Sequence, residues 1–124
     1  MRETLTVSTG ATYVRPAKRI NGDESFHILE GEADFVIFDE QGNIIASVPL
    51  GDYDSGLRFY IRVPASAYHT INIKSETLVI QEVQTGPFHA GETVYAPWAP
   101  QESDAASVGL FRNRLLAAAK KNRE

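Results

Sequence analysis

Phe35-Val36-Ile37-Phe38-Asp39-Glu40-Gln41-Gly42-Asn43-Ile44-Ile45-Ala46-Ser47-Val48 (35–48) sets two runs of Ile, Val and Phe on either side of a polar Glu40-Gln41-Gly42-Asn43. This is the pattern of a short β-hairpin in which glycine supplies a positive φ. Upstream, Ser25-Phe26-His27-Ile28-Leu29 reaches it through Glu30-Gly31-Glu32. Downstream, the polar loop Gly51–Gly56 precedes Leu57–Val63, Val63-Pro64-Ala65-Ser66-Ala67 interrupts pairing before Tyr68–Ile73, and Lys74-Ser75-Glu76 precedes Thr77–Val83. Many short strands at this spacing from Leu5 onward predict an all-β sandwich or barrel. After Gly86-Pro87 the texture changes. Ala96-Pro97-Trp98-Ala99-Pro100 is too proline-bound for a ladder, and Trp98 is expected to plug the barrel where the tail crosses it. Ser103 or Asp104 can cap a C-terminal helix whose apolar stripe is Val108, Phe111, Leu115 and Ala118 or Ala119. The expected organisation is one domain over residues 1–124: a barrel over about 5–87, a proline-rich tail over 88–102 and a helix over about 104–121.

Composition bounds the function. With 124 residues, 43% hydrophobic and 23% charged, the chain can bury a core, which excludes a disordered class. Twelve Lys and Arg against 16 Asp and Glu give a net charge of −4, so there is no basic field to gather nucleic acid or membrane surfaces. The absence of cysteine excludes disulfides, thiolate zinc sites, iron–sulfur clusters and cysteine nucleophiles. No stretch approaches the ~20 apolar residues of a membrane span, and Met1-Arg2-Glu3-Thr4-Leu5 carries an acidic residue, so a cytoplasmic address is expected.

The chemistry-bearing residues are Tyr13-Val14-Arg15-Pro16-Ala17-Lys18-Arg19, Glu24 and His69. Read as a strand, the first run puts Tyr13, Arg15, Ala17 and Arg19 on one face, while Glu24, Phe26 and Ile28 share a face opposite Ser25, His27 and Leu29. Pro64-Ala65-Ser66-Ala67-Tyr68-His69 delivers a histidine whose same-face neighbours, Ile71 and Ile73, are apolar. Polar groups over an apolar floor describe a small-molecule pocket. No glycine-rich phosphate loop or nucleophile elbow is present.

Several of these pieces occur together: Tyr13-Val14-Arg15-Pro16, Glu24 and Gly31 with six residues between them, the 35–43 hairpin, Val63-Pro64 leading to His69-Thr70, Gly86-Pro87, and Ala96-Pro97-Trp98-Ala99-Pro100. In this order the sequence resembles the cupins, and among them the WbuC family of cupin-fold metalloproteins. The resemblance implies a double-stranded β-helix, or jelly-roll barrel, with a C-terminal helix. It also implies a homodimer and a setting in O-antigen or surface-polysaccharide sugar metabolism. The cupin motifs supply a His-x-His pair, a glutamate and a further histidine to a divalent metal. Here Ala17 and Arg19 stand at the His-x-His positions, leaving Glu24 and His69 as residual ligand positions, with Ser66 in place of a glycine and Ile73 in place of an asparagine.

A methyl group cannot coordinate and a guanidinium stays protonated, so no metal or other cofactor is expected, with Zn, Mn, Fe or Ni as the minority reading if His27, His89 or Glu82 completes a shell. Two readings of the arginines stay open. Arg19 pairs with Glu24 and closes the barrel, or Arg15 and Arg19 receive a carboxylate or phosphate. The candidate ligand-binding residues are Arg15, Arg19, Glu24, Tyr60 and His69, with His69 also the candidate catalytic base and Tyr60 or Tyr68 an acid beside it. The leading reading is a metal-depleted cupin that binds a small anionic or sugar-type molecule. The alternatives are a sugar isomerase or epimerase using His69 and Glu24, and a structural or regulatory dimeric subunit. Elemental analysis after incubation with Zn, Mn, Fe and Ni is expected to find no stoichiometric metal. One atom per chain, lost in both Glu24→Gln and His69→Ala, would restore the metalloprotein reading.

Overall fold

Side chains alternate across a strand, so each run above commits one set of residues to each face of a sheet. The computed structural model describes residues 1–86, 88 and 91–123. In chain order these form β1 (Arg2–Thr9), β2 (Ala17–Arg19), β3 (Glu24–Glu30), β4 (Glu32–Phe38), β5 (Ile44–Gly51), β6 (Tyr60–Val63), β7 (Tyr68–Ile73), β8 (Thr77–Gln84), β9 (Thr93–Tyr95) and α1 (Ala105–Arg123). Two antiparallel sheets result: sheet A in the order β1-β8-β3-β6, and sheet B in the order β5-β4-β7-β2-β9. An isolated bridge between Leu50 and Arg58 ties the sheets together along the β5/β6 side.

The two sheets face one another across a core that includes Phe26, Ile28, Phe35, Leu50, Ile71 and Leu78. Sheet B is buried on its other face as well, because the proline-rich tail and α1 lie against it. Val36, Phe38 and Tyr68 there meet Ala96, Ala99, Phe111 and Leu115. Trp98 packs beside this cluster, 4.8 Å from Phe38 between ring centroids, and its indole N–H donates to the Glu40 carbonyl at 3.0 Å. It therefore plugs the outer layer, not the barrel itself. Asp104 accepts from the Ser107 N–H and hydroxyl at 3.2 and 2.7 Å, which caps α1 and holds the Asp104 carboxyl below its usual range. The helix is pinned through Arg112, which donates to Asn72 Oδ1 at 3.2 Å and to the Gly10 carbonyl at 2.8 Å.

The structure departs from the sequence reading at element ends. The first strand begins at Arg2, three residues before Leu5, and the run read from Leu57 enters a ladder only at Tyr60. Of the run from Tyr13 to Arg19 only Ala17–Arg19 is paired, since Pro16 has no N–H to give. Tyr13 instead turns toward α1, donating its hydroxyl to the Pro100 carbonyl at 2.9 Å. The tail contributes β9, whose Thr-Val-Tyr sequence pairs with β2 before the prolines begin. Ser66 has a φ of 71°, a left-handed conformation that glycine adopts without strain and other residues rarely take.

Gly42 has a φ of 90°, and a Cβ there would lie 2.7 Å from the Trp98 ring. Gly42→Ala is expected to cost about 1–3 kcal/mol in urea denaturation, through both backbone strain and displacement of the indole.

Candidate functional site

Alternation aims one end of the barrel interior inward as polar groups. Glu24 on β3 pairs across the ladder with Gln84 on β8, and Phe26 with Glu82, so Glu24, Glu82 and Gln84 converge from adjacent strands. His69 arrives from the facing sheet, opposite Ala17 of β2. Together with Arg15, Arg19 and Tyr95 they line a cavity of about 300 Å³ whose remaining wall includes Ile71, Ile73, Leu78 and Ile80. At the ~30 Å³ occupied by a water molecule in the liquid, that space holds on the order of ten non-hydrogen atoms.

The polar end is ordered by direct contacts. The ring of His69 stacks on Phe35 with centroids 5.4 Å apart and planes 19° from parallel, and meets the edge of Phe26 at 5.8 Å. Its Nδ1 lies 2.8 Å from the Ala67 carbonyl. A carbonyl only accepts, so Nδ1 carries a hydrogen and Nε2 is the group offered to the cavity. Nε2 lies 3.6 Å from Glu24 Oε1. The Gln84 side-chain amide donates to Glu24 Oε2 at 3.3 Å and to Glu82 Oε1 at 2.8 Å, gathering both carboxyl groups around one nitrogen. Burial pushes the Glu82 carboxyl up to about 7, reinforced by a hydrogen bond with Glu24 and by its negative charge and opposed by Gln84 and Arg19. Two carboxyl groups hydrogen-bond to one another only when one holds a proton, a state that this shift keeps predominant up to about pH 7.

The two arginines have different fates. Arg19 is 3% exposed and pairs with Glu92 at 3.4 Å, not with Glu24, and donates to the Thr85 carbonyl at 3.2 Å. The guanidinium groups of Arg19 and Arg2 both lie over the Phe88 ring, at 5.3 and 4.2 Å from its centroid. Of the two readings left open for the arginines, the Arg19–Glu24 closure does not form, and Arg19 pairs with Glu92, which β9's approach to β2 brings alongside. Arg15 stacks on Tyr95 at 5.0 Å and forms no ion pair among the described residues, and its Nε is enclosed without a hydrogen-bond partner. Tyr60 does not join the site: on β6 it is Ile61 and Val63 that point inward, and Tyr60 lies outside, 47% exposed. Tyr68 also faces away, toward the helix layer. His27 alternates away from Glu24 as expected, against Phe59 on the outer face, and His89 lies outside the described residues.

Ala17 and Arg19 offer no lone pair at the His-x-His positions, and no group of three or more His, Asp or Glu that could hold a metal ion is present among the described residues. The sequence reading placed Glu82 in a strand and gave it only a possible part in a metal shell, and its strand stopped at Val83, one residue short of Gln84. Their parity with Leu78 and Ile80 was the signal that they point inward.

No protein-family model and no curated protein matches this sequence. Solved structures do match. A Shewanella oneidensis protein aligns over 94% of this chain and 72% of its own, with a TM-score of 0.65 and 13% identity. A dTDP sugar isomerase from Desulfovibrio desulfuricans aligns over 86% and 68%, at 0.64 and 16%. A dTDP-4-dehydrorhamnose 3,5-epimerase from Elizabethkingia anophelis aligns over 75% and 54%, at 0.60 and 15%. The chain thus spans between about half and three quarters of the length of these proteins, and 18% of an 11S globulin from Brassica napus. At these identities the likeness shows the fold, which is the cupin jelly-roll.

Glu82 holds its proton more tightly when folded than when unfolded. The stability it contributes is therefore complete below the unfolded carboxyl range and is lost as pH rises from about 4.5 to about 7. Wild-type protein should lose melting temperature across that window, and Glu82→Gln should lose less. Parallel profiles for the two proteins would contradict the assignment.

Proposed function

We propose that the barrel cavity binds a small anionic, sugar-type ligand without the help of a divalent metal. The observation that carries this is Arg15, a guanidinium in a cavity wall, lying over the Tyr95 ring and without an ion-pair partner among the described residues. A planar fork of this kind suits carboxylate or phosphate, and a neighbouring aromatic ring preserves its orientation. The cavity size supports a ligand whose enclosed portion is about that of one monosaccharide. A nucleotide attached to it would lie outside. The dTDP-sugar enzymes among the matched structures support the same class of ligand.

A second reading, a sugar isomerase or epimerase, is favoured by one feature: Nε2 of His69 is oriented into the cavity beside a carboxyl pair. A base so placed can remove a proton next to a ligand carbonyl, and a protonated carboxyl can return one. Solvent-deuterium exchange into a keto sugar, abolished in His69→Asn with an unchanged melting temperature, would support turnover.

Binding is tested by calorimetry with glucose, galactose and mannose 1-phosphates. At least one should bind, and Arg15→Gln should weaken that binding at least tenfold while leaving the melting temperature unchanged. Equal binding by Arg15→Gln would remove Arg15 as the anion anchor.

A further inference from the structure

β1 inverts the polarity shown by the apolar stretches of β3, β7 and β8 beside it. Its register with β8 places Thr4 opposite Glu82, Thr6 opposite Ile80 and Ser8 opposite Leu78, so three hydroxyl-bearing residues share the sheet face that looks toward the cavity, Thr4 and Thr6 exposed and Ser8 half-buried at its open edge. Leu5 and Val7 face outward and are 63% and 67% exposed. An antiparallel strand with one face on the core ordinarily does the opposite. The inward positions nearby follow the ordinary rule: Ile28 on β3, Leu78 and Ile80 on β8, and Ile71 and Ile73 on β7 are apolar. A strand that gives up its apolar contribution to the core sacrifices stability, and such local violations concentrate where a molecule binds. Thr6 and Ser8 both line the cavity, and neither side chain makes a hydrogen bond among the described residues.

We infer that β1 selects the ligand, with the hydroxyls of Thr6 and Ser8 receiving the ring hydroxyls of a pyranose while Ile71, Ile73, Leu78 and Ile80 take its carbon face. This rests on the anion-binding reading above and deepens it from an anion to a phosphorylated six-membered sugar ring. Residues two apart on a strand are separated by about 6.8 Å, which is the scale of one six-membered ring with its substituents. The cavity therefore offers a ring two unlike walls. One is a ladder of hydroxyls that each donate and accept; the other is branched aliphatic. A pyranose has the same division, with hydroxyls around its edge and C–H groups on its face. An unbranched anion such as inorganic phosphate could use Arg15 but would leave both walls unused.

The test is calorimetry on the full chain with the three hexose 1-phosphates and with inorganic phosphate as the ringless control, for wild type, Thr6→Val/Ser8→Ala and Arg15→Gln. Both β1 substitutions remove a hydroxyl from an exposed edge strand and nearly preserve shape, so melting temperature should hold or rise. The expected result is that the preferred hexose phosphate binds wild type at least tenfold more tightly than phosphate does. The β1 double variant should lose most of that margin while binding phosphate as before. A double variant that keeps the full margin overturns the role of β1 and leaves anion binding intact. If no hexose phosphate binds wild type, or if Arg15→Gln binds all probes unchanged, the anion-binding reading itself fails and this inference fails with it.

Discussion

Phe35 and Val36 are adjacent, point in opposite directions and are both completely shielded. That is possible only in the middle layer of a three-layer protein. The constraint organises the rest of the molecule: sheet A must cover the Phe35 side and the tail with α1 must cover the Val36 side. Each residue of the run Phe35-Val36-Ile37-Phe38 therefore has to be apolar, and the continuous run departs from simple alternation for this reason. The partnership also explains why a segment as irregular as Ala96–Pro100 keeps one place. Its residues are the floor on which Phe38 and Tyr68 rest, and Trp98 is fastened to the hairpin by the Glu40 carbonyl.

Much of this was legible in the residues. The hairpin at Gly42, the inward set Glu24, Phe26 and Ile28, and the helix stripe through Phe111, Leu115 and Ala119 all follow from periodicity, and periodicity survives folding because it decides which face meets water. Boundaries were less legible. Ladder membership depends on a partner strand as well as on local preference, so Leu57 to Phe59 look like strand without being one, and Thr93–Tyr95 become strand because β2 lies within reach.

The site was half legible for a related reason. Parity places Glu24 and His69 inside, and the structure holds them 3.6 Å apart. What parity cannot supply is the choice among partners. Arg19 and Glu24 are five residues apart and carry opposite charge, yet Glu92, distant in sequence, takes the guanidinium because β9 brings it alongside β2. Glu82 is a similar case. Nothing about an isolated glutamate in a strand announces a raised proton affinity, which arises only when burial and a second carboxyl group coincide.

The segments that carry Arg15, Ala17, Arg19 and Tyr95 are also the most lightly anchored part of the barrel. β2 and β9 are three residues each, and β2 meets β7 at a single pair, Ala17 with His69. Such short ladders belong to the low end of the range of local opening free energies, while the long β4–β5 and β3–β8 ladders share the stability of the whole fold. The wall that carries Arg15 is held instead by contacts outside the ladders, among them the Ala96 N–H to the Pro16 carbonyl at 2.9 Å and the Ser66 N–H to the Arg19 carbonyl at 2.7 Å. An occupant that engaged Arg15 and β1 at once would reinforce the side of the barrel away from the Leu50–Arg58 bridge, where Arg2 of β1 already reaches Glu92 beside β9 at 3.8 Å.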